Sequence, residues 1–414
     1  MPAIPSHKIF QGDSVIWIVF FLLCMISLVE VFSAGSTLAY KSGDFMAPLV
    51  KQAVMLGLGT CVTLLFHSIP CRFFKIIPVV FLPVSIVLLV LTLLIGVSEN
   101  GAGRWLTLGF FSFQPSEFAK GTVVITVALI LAAMQQEKGA DRRAFKYVLI
   151  VTGFVSALIV TENLSTAALL CGVVFVMMFI GRVSLIQLGK LLGFFAAVAA
   201  VVVLTVSTLP EDSKFYDLPV LHRLGTWKSR FASHGDDKVI APKDFDLDKN
   251  GQVGHAAIAI ASCNFVGKMP GNSVERDFLS QAYSDFIYAI IIEEMGVWGA
   301  VLVVFLYVVL LFRAGRIASR CERSFPAFLT MGLALLLVSQ AILNMLVAVG
   351  LFPVTGQPLP LISRGGTSTL ICCVYFGMIL SVSRYARKND EDVRRSPDSL
   401  SEEEKEYFND EGLV

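Results

Sequence analysis

Long apolar stretches separated by short polar ones dominate the pattern along this chain. Residues 15–29, 79–95 and 297–312 contain no charged side chain. An α-helix rises about 1.5 Å per residue, so about 20 apolar residues cross a hydrocarbon core of about 30 Å. The pattern therefore predicts helices that span a membrane.

Ten such helices fit the pattern, and the fifth and sixth are separated only by Glu162 and Asn163. The predicted spans are residues 15–34, 47–68, 73–96, 116–133, 146–161, 164–180, 185–209, 285–312, 325–352 and 367–382. The predicted fold class is thus an all-α polytopic membrane protein with ten transmembrane helices. A large extracytoplasmic loop is expected between helices 7 and 8.

Basic residues in the short loops predict the orientation, because cytoplasmic loops carry an excess of Lys and Arg. One side holds Arg72, Lys75, Lys138, Arg142, Arg143, Lys146, Arg182, Arg313, Arg316, Arg320, Arg323, Arg384, Arg387 and Lys388. The other side offers mainly Lys41, Arg104 and Arg364. We therefore expect both termini in the cytoplasm.

The chain then divides into a cytoplasmic N-terminus (1–14), helices 1–7 (15–209), the extracytoplasmic loop (210–284), helices 8–10 (285–383) and a cytoplasmic tail (384–414). The loop is longer than a passive connection needs, and such long loops are usually functional or disordered. Its residues 218–231 mix apolar and basic side chains, a pattern typical of an amphipathic helix on lipid headgroups.

Composition narrows the classes of protein further. Hydrophobic residues make up 55% of the chain and charged residues 16%, and the mean hydropathy is +0.73. Soluble domains carry about 25% charged residues, so cytosolic enzymes, secreted domains and disordered proteins are excluded. The net charge of +1 gives no indication of nucleic-acid binding, and the eight cysteines form no CxxC pair. Neither a disulfide framework nor a structural zinc site is expected.

The first candidate cluster lies between the third and fourth spans on the outer side. Arg104 and Lys120 are candidates for contact with an anionic headgroup. An interfacial Trp anchor with a helix cap is the structural alternative, because Pro115 starts a helix well and Glu117 suits its first turn. The candidate substrate-binding residues here are Arg104, Trp105, Gln114, Ser116, Glu117 and Lys120.

The second cluster opens the eighth span. Asp285 stands at its outer end, where either a functional carboxylate or a plain N-cap would fit. Glu293 and Glu294 follow about 12 Å along the same helix at about 1.5 Å per residue. Two carboxylates at that depth need a polar cavity, a basic partner or protonation. Helical rotation keeps both away from Asp285, so the pattern predicts a single outer carboxylate with supporting polar residues.

The third cluster lies between the ninth and tenth spans. Asn344 precedes a loop rich in proline and glycine, and Ser363, Arg364, Gly365 and Gly366 lead into a helix start. A helix N-terminus with free backbone N–H groups suits an anion. A merely structural tight loop is the alternative.

Together these clusters resemble the SEDS family of bacterial cell-wall proteins, the FtsW and RodA group. The resemblance is carried by NGAGRW at 100–105, QPSE at 114–117 with Lys120, DF at 285–286 with EEMG at 293–296, and PVTGQPLPLISRGG at 353–366. It covers essentially all the spans. The family's essential acidic residue falls on Asp285. The acidic tail and two departures look more like FtsW, the cell-division member, than RodA.

The two departures affect candidate residues. The family usually carries Gln-Pro-Asp-x-Gly-Thr after the fifth span, whereas this chain has TENLST at 161–166. Asn163 cannot supply the negative charge of that Asp, although Glu162 beside it can. The family's usual Tyr ahead of the double glycine is Arg364 here.

The resemblance implies a peptidoglycan glycosyltransferase of the bacterial cytoplasmic (inner) membrane that polymerises lipid II at the outer leaflet during division and releases undecaprenyl pyrophosphate. Its partners would be a class B penicillin-binding transpeptidase and other division proteins. Asp285 would accept or orient a hydroxyl proton. Positive charge for the pyrophosphate would come from Arg104, Lys120, Arg223 or Arg364, alone or with a divalent cation (Mg²⁺ or Mn²⁺). A lipid II flippase and a non-catalytic scaffold are the alternatives.

Overall fold

The structure is a computed structural model that describes residues 10–35, 46–99, 102–108, 111–137, 139–208, 247–279 and 282–394. It is nearly all helical within these ranges. The helices are α1 Ser14–Ala34, α2 Ala47–Ser68, α3 Ile77–Ile95, α4 Pro115–Ala133, α5 Arg142–Glu162, α6 Leu164–Ile180, α7 Leu185–Thr208, α8 Leu247–Ala261, α9 Ile287–Ser319, α10 Ser324–Ala348 and α11 Thr367–Arg394. Short 3₁₀ helices cover Cys71–Ile76 and Glu275–Asp277.

Eight helices of the described ranges are long and apolar enough to cross a membrane, and Leu164–Ile180 and Leu185–Val198 are shorter apolar helices. Each predicted span coincides with a helix. Large apolar side chains face outward, with Val79 72% and Leu94 76% exposed. Only a hydrocarbon surrounding makes such a surface favourable. The fold is therefore that of a multi-span membrane protein.

Local sequence explains where several helices begin. Asp13 caps α1, because its side chain accepts hydrogen bonds from the N–H groups of Val15 at 2.9 Å and Ile16 at 3.2 Å. Pro115 opens α4, where its missing N–H has no helical partner to lose. Asn163 alone separates α5 from α6 and caps α6. The two helices therefore divide at the position where the sequence predicts the boundary between the fifth and sixth spans.

A small antiparallel sheet precedes α4, which the turn-rich sequence did not lead us to predict. Its strands are β1 Val97–Glu99, β2 Ala102–Leu108 and β3 Phe111–Phe113, in the order β1-β2-β3. β1 pairs with β2 and β2 with β3, the latter with Leu106 opposite Phe113. A second pair joins β4 Gln135–Gln136 to β5 Gly139–Ala140.

The eighth predicted span is interrupted within α9. Gly296 has φ 68° and ψ −164°, a conformation that glycine adopts without the steric penalty of a Cβ atom. Residues 287–294 are buried on every side, whereas Trp298 and Phe305 beyond the break are exposed. The expectation of one unbroken helix over residues 285–312 is therefore wrong. The apolar run that follows the glycine gives no sign of the break.

The helices α4, α10 and α11 are the most enclosed of the bundle. α10 packs against α4, α6, α9 and α11, and α1 packs against α9. α8 lies in the sequence of the long loop, packs on α9 and was not predicted. The predicted amphipathic helix at residues 218–231 lies outside the described residues.

Candidate active site

Three consecutive backbone carbonyl groups, those of residues 283–285, bond the turn of Asp285 to α10 and to the α10–α11 loop. The first accepts the N–H of Arg364 at 3.0 Å, and the second accepts the hydroxyl of Ser363 at 2.6 Å. The third, that of Asp285, accepts the side-chain amide of Asn344 at 3.0 Å. The second and third candidate clusters therefore meet, and Asp285 stands at their junction.

The side chain of Asp285 is half-buried, and the hydroxyl of Ser284 donates to its Oδ1 at 3.1 Å. Asp285 lies in a turn, and α9 begins at Ile287 with Phe286 in the cap position. The cap position of α9 is therefore one residue beyond Asp285. The carboxylate stands just outside the helix, where its position depends on the contacts of the turn.

Polar side chains buried among α4, α10 and the α10–α11 loop form what we call the buried network: Glu117, Lys120, Gln340, Asn344 and Gln357. The Lys120 amine lies 2.7 Å from Glu117 Oε1 and donates to Gln340 at 2.9 Å and Gln357 at 3.3 Å. Asn344 donates to the Gln357 carbonyl at 2.8 Å and to Asp285. A continuous path of polar contacts thus joins Lys120 to the turn of Asp285.

Lys120 is only 1% exposed. The Lys120 ammonium forms an ion pair with Glu117 and donates hydrogen bonds to Gln340 and Gln357. Burying a charge is expensive unless it is paired and hydrogen-bonded. The ammonium therefore satisfies the buried network in this structure rather than reaching an external group.

Glu117 also ties α4 to α11. The hydroxyl of Ser368 donates to its carboxylate at 3.5 Å, and the hydroxyl of Tyr375 donates to its carbonyl at 3.2 Å. Gln114 and Ser116, the other candidates at this helix start, are buried. The Ser116 hydroxyl has no hydrogen-bond partner among the described residues.

Asn163 performs a structural task at the start of α6. Its side chain accepts the N–H groups of Ser165 at 3.1 Å and Thr166 at 3.4 Å, and its amide donates to the Thr355 carbonyl at 3.4 Å. The Thr166 hydroxyl accepts from Gln357 at 2.6 Å. The departure from the family motif thus lies against the α10–α11 loop.

Arg364 lies beside the turn of Asp285, with its guanidinium carbon 5.6 Å from the centre of the Tyr283 ring. Gly366 has φ 50°, and α11 starts directly after it at Thr367. The Gly365 carbonyl accepts an N–H from the first turn of α11 at 3.0 Å. The predicted glycine-rich approach to a helix N-terminus is therefore present, with a cation at its side.

Glu293 is fully buried and holds a part of the chain between α8 and α9 that we call the docked segment, residues 267–276. Lys268 lies 2.6 Å from Glu293 Oε1, and the N–H of Val274 donates to the same oxygen at 3.1 Å. The Ser273 hydroxyl donates to the second oxygen. The sequence required a basic partner, a polar cavity or protonation, and the docked segment supplies a basic partner.

Glu294, also fully buried, joins the docked segment to α1. The N–H of Ser273 donates to its Oε1 at 3.2 Å, and Arg276 lies 3.9 Å from the same atom. The hydroxyl of Ser33 on α1 donates to Glu294 and accepts from Arg276 at 3.0 Å. Glu293 and Glu294 therefore bind protein groups in this structure.

The remaining predicted residues are Arg104, Trp105, Arg223 and Glu162. Arg104 and Trp105 belong to strand β2 of the small sheet. Arg223 lies outside the described residues. Glu162 is buried at the last position of α5.

Sequence reasoning missed several residues of this region. Glu30 on α1 is fully buried, and neither of its carboxylate oxygens has a hydrogen-bond partner among the described residues. A charge inside an apolar run is a recognisable signal, and it was present at Glu30. Gln340 carried a weaker form of the same signal. The sequence gives no such signal at Lys268 and Arg276, because charged residues are common in loops.

The buried carboxylates and the buried lysine of the described ranges lie at one end of the bundle, whereas the buried His67 lies at the other end, in the last turn of α2. The carboxylates and the lysine are Glu30, Glu117, Lys120, Glu162, Glu275, Glu293 and Glu294. On the helices they occupy the last turns of α1 and α5 and the first turns of α4 and α9. In these ranges no three His, Cys, Asp or Glu side chains come together as a metal site.

Comparison with known proteins places this arrangement in a family. The family described as "Cell cycle protein", which groups FtsW, RodA and SpoVE, matches residues 13–388. The chain belongs to the FtsW/RodA/SpoVE family. The resemblance stated from the sequence motifs is thus confirmed.

Two curated relatives indicate the range of this family. The probable peptidoglycan glycosyltransferase FtsW of Marinobacter nauticus is 31% identical over 364 residues, 86% of this chain and 84% of that protein. The stage V sporulation protein E of Bacillus subtilis is 28% identical over 382 residues, 91% of this chain and 98% of that protein.

Solved structures share the fold. A chain of the structure described as "Structural coordination of polymerization and crosslinking by a peptidoglycan synthase complex" matches with a TM-score of 0.69 and 25% identity, covering 91% of this chain and 98% of that chain. The rod shape determining protein RodA of Thermus thermophilus matches with a TM-score of 0.61 and 24% identity, covering 90% of this chain and 97% of that chain.

Proposed function

We propose that this chain is a peptidoglycan glycosyltransferase that polymerises lipid II at the outer leaflet of the cytoplasmic membrane. The observation that carries the proposal is the position of Asp285. It is a half-buried carboxylate outside a helix start, on a turn whose three carbonyls are held by Asn344, Ser363 and Arg364. The names of the relatives and of the solved complex support the same reaction class.

In the proposed reaction, a sugar hydroxyl of one lipid-linked unit attacks the anomeric carbon of another. The new glycosidic bond forms as the bond to undecaprenyl pyrophosphate breaks. Asp285 accepts or orients the proton of the attacking hydroxyl. Much of the rate effect then comes from orientation, which fits a carboxylate whose backbone is held by the α10–α11 loop and by Asn344.

The departing pyrophosphate needs positive charge, since electrostatic stabilisation of developing charge is usually a large catalytic effect. Arg364 is the best-placed candidate of the described residues, because its backbone is bonded to the turn of Asp285 and Gly365 and Gly366 follow it. Arg104 and Arg223 are further candidates from the sequence. Lys120 supports the turn of Asp285 indirectly, through its hydrogen bond to Gln357 and the bonds of Asn344 to Gln357 and Asp285. No step is assigned to Mg²⁺ or Mn²⁺.

The membrane setting follows from the same features. We take the ten apolar helices other than α8 as spans, with both termini cytoplasmic and α8 in the extracytoplasmic loop. The buried charges then lie on the outer side, where lipid II is polymerised. A polar path for flipping lipid II would need polar groups at the other end too, and there the described ranges hold the buried His67 and the Asp13–Arg313 ion pair. The polymerisation assay, and not burial, therefore separates the two functions. The acidic tail and the FtsW relatives favour a role in cell division with a class B penicillin-binding transpeptidase.

Purified protein in liposomes with lipid II, with and without the cognate transpeptidase, tests this proposal. Glycan polymer is the expected product. Movement of lipid II across the membrane without polymer would indicate a flippase. Neither activity, from protein that still binds its transpeptidase, would indicate a scaffold.

A further inference from the structure

The docked segment closes a loop of the chain around Asp285. Its residues 267–276 precede the turn, and the helical residues that bind it, Glu293 and Glu294, follow the turn. The N–H of Lys268 donates to the Glu293 carbonyl at 2.9 Å, and the N–H of Met269 donates to the Glu294 carbonyl at 2.8 Å. Because α9 breaks at Gly296, helical N–H partners are missing for such carbonyls. The docked segment supplies them.

Gly267 in the docked segment and Gly296 at the break of α9 bring the two backbones into contact. Gly267 has φ +76°, and a Cβ atom there would lie 2.3 Å from the Glu294 carbonyl oxygen and 2.4 Å from the Gly296 nitrogen. Neither of those atoms belongs to a flexible side chain. The segment therefore fits against α9 only while residue 267 has no side chain.

Charged side chains complete the docking through contacts inside the protein. The Lys268 amine contacts Glu293 and donates to Ser262 at 3.0 Å. Arg276 donates to Ser33 at 3.0 Å and to the Gly271 carbonyl at 2.8 Å. These groups face protein partners, which is the placement expected of residues that position others.

We infer that the docked segment positions Asp285 for glycosyl transfer, with Lys268 and Arg276 as positioning residues. The inference rests on the proposed function. One side of the turn is held by Asn344, Ser363 and the Arg364 backbone, and the docked segment fixes the chain on the other. Misplacement of a reacting group by about 1 Å can lower a rate by about a hundredfold. Contacts that hold the Asp285 turn from both sides therefore favour a high rate of glycosyl transfer.

The sharpest test compares Gly267→Ala with Gly350→Ala. Both glycines have positive φ, +76° and +74°, so an alanine strains the backbone equally at both. Nothing lies within 4 Å of a Cβ atom at Gly350, which follows α10, whereas the Cβ atom at Gly267 meets the α9 backbone. The pair therefore separates loss of docking from backbone strain.

Lipid II polymerisation by full-length protein with its transpeptidase is the measurement. We expect Gly267→Ala to lower kcat about tenfold or more with KM changed less than about twofold, because transition-state geometry is lost and substrate binding is kept. Gly350→Ala should stay within about twofold of wild type for both constants. Equal losses in the two variants, an unchanged Gly267→Ala enzyme, or a loss confined to KM would overturn the inference.

A second pair decides the matter if Gly267→Ala does not fold. Lys268→Met should lower kcat, and Lys268→Arg should restore most of it, since arginine keeps the ion pair with Glu293. Lack of rescue by arginine, or a rise in KM alone, would overturn the inference. An inactive wild-type protein would instead count against the proposed function, so the two failures are distinguishable.

Discussion

The buried network and the docked segment each contain a lysine–glutamate pair, yet their surroundings differ. Lys120 and Glu117 are 2.7 Å apart with side chains 1% and 3% exposed. Lys268 and Glu293 are 2.6 Å apart, but the Lys268 side chain is 31% exposed. Electrostatic attraction is much stronger where water is excluded, and so is the penalty of an unpaired charge. The comparison indicates a fixed support on one side of Asp285 and a more easily opened one on the other.

The largest effect is expected from Lys120→Met. It leaves the Glu117 carboxylate buried without its cation and removes donors to Gln340 and Gln357. Breaking one partner of a buried pair costs about 3–5 kcal/mol. Chemical unfolding in detergent micelles should therefore give a large fall in stability, with polymerisation lost.

The matched control for that change is the double variant Lys120→Met with Glu117→Gln. Removing both charges should recover a substantial part of the lost stability, because no unpaired charge remains buried. A double variant as unstable as the single one would show that charge pairing is not what makes Lys120 important.

Asn344→Leu should have the next largest effect. One amide nitrogen donates to two buried or half-buried carbonyls, those of Asp285 and Gln357. Leaving such groups unsatisfied costs about 1–3 kcal/mol. We expect a loss of stability of about 2 kcal/mol and a fall in kcat, measured by unfolding and by polymerisation. Full activity in this variant would mean that the Asp285 turn does not need its link to the buried network.

Lys268→Met should destabilise the protein less than Lys120→Met does. The Lys268 amine is partly solvated, and Glu293 keeps its bonds from Ser273 and Val274. A cost of about 1 kcal/mol is expected, as for pairs in contact with water. Unfolding under identical conditions checks the order of the two variants. The reverse order would contradict the contrast between the two regions.

The smallest effect is expected from Asn163→Asp. Asp and Asn are equally good N-cap residues, and an Ala in that position typically costs about 1 kcal/mol. Asn163→Asp should therefore be more stable than Asn163→Ala, although it loses the donor to the Thr355 carbonyl. Parallel unfolding of the two variants checks this. Equal destabilisation would mean that the amide bond to Thr355, not the cap, is the main contribution of Asn163.

Sequence reasoning located the helices and the three clusters because their signals are local. Apolar runs mark spans, and Pro115 marks the start of α4. The break at Gly296 was not predictable, because it depends on Gly267, which is 29 positions away in the sequence, fitting against it. Pairing partners such as Gln357 for Lys120, or Arg276 for Glu294, depend on tertiary packing. Spacing along the chain carries no information about them.

Glu30 illustrates the opposite case. Its charge inside the first apolar run was visible in the sequence, and the structure places it at the same end of the bundle as Glu294. Its neighbours could not be inferred, since they come from other helices. Charged residues at membrane depth are thus easy to recognise in a sequence, but the residues that contact them are difficult to predict from it.

The central claim is that Asp285 is the catalytic carboxylate. Its most direct test is polymerisation of labelled lipid II by the purified chain with its transpeptidase, beside Asp285→Ala and Asp285→Asn. We predict loss of polymer in both variants while folding and transpeptidase binding persist, because Asn keeps the size of the side chain but cannot accept a proton. Polymer at near wild-type levels from either variant would contradict the claim and direct attention to Glu162 or Glu293.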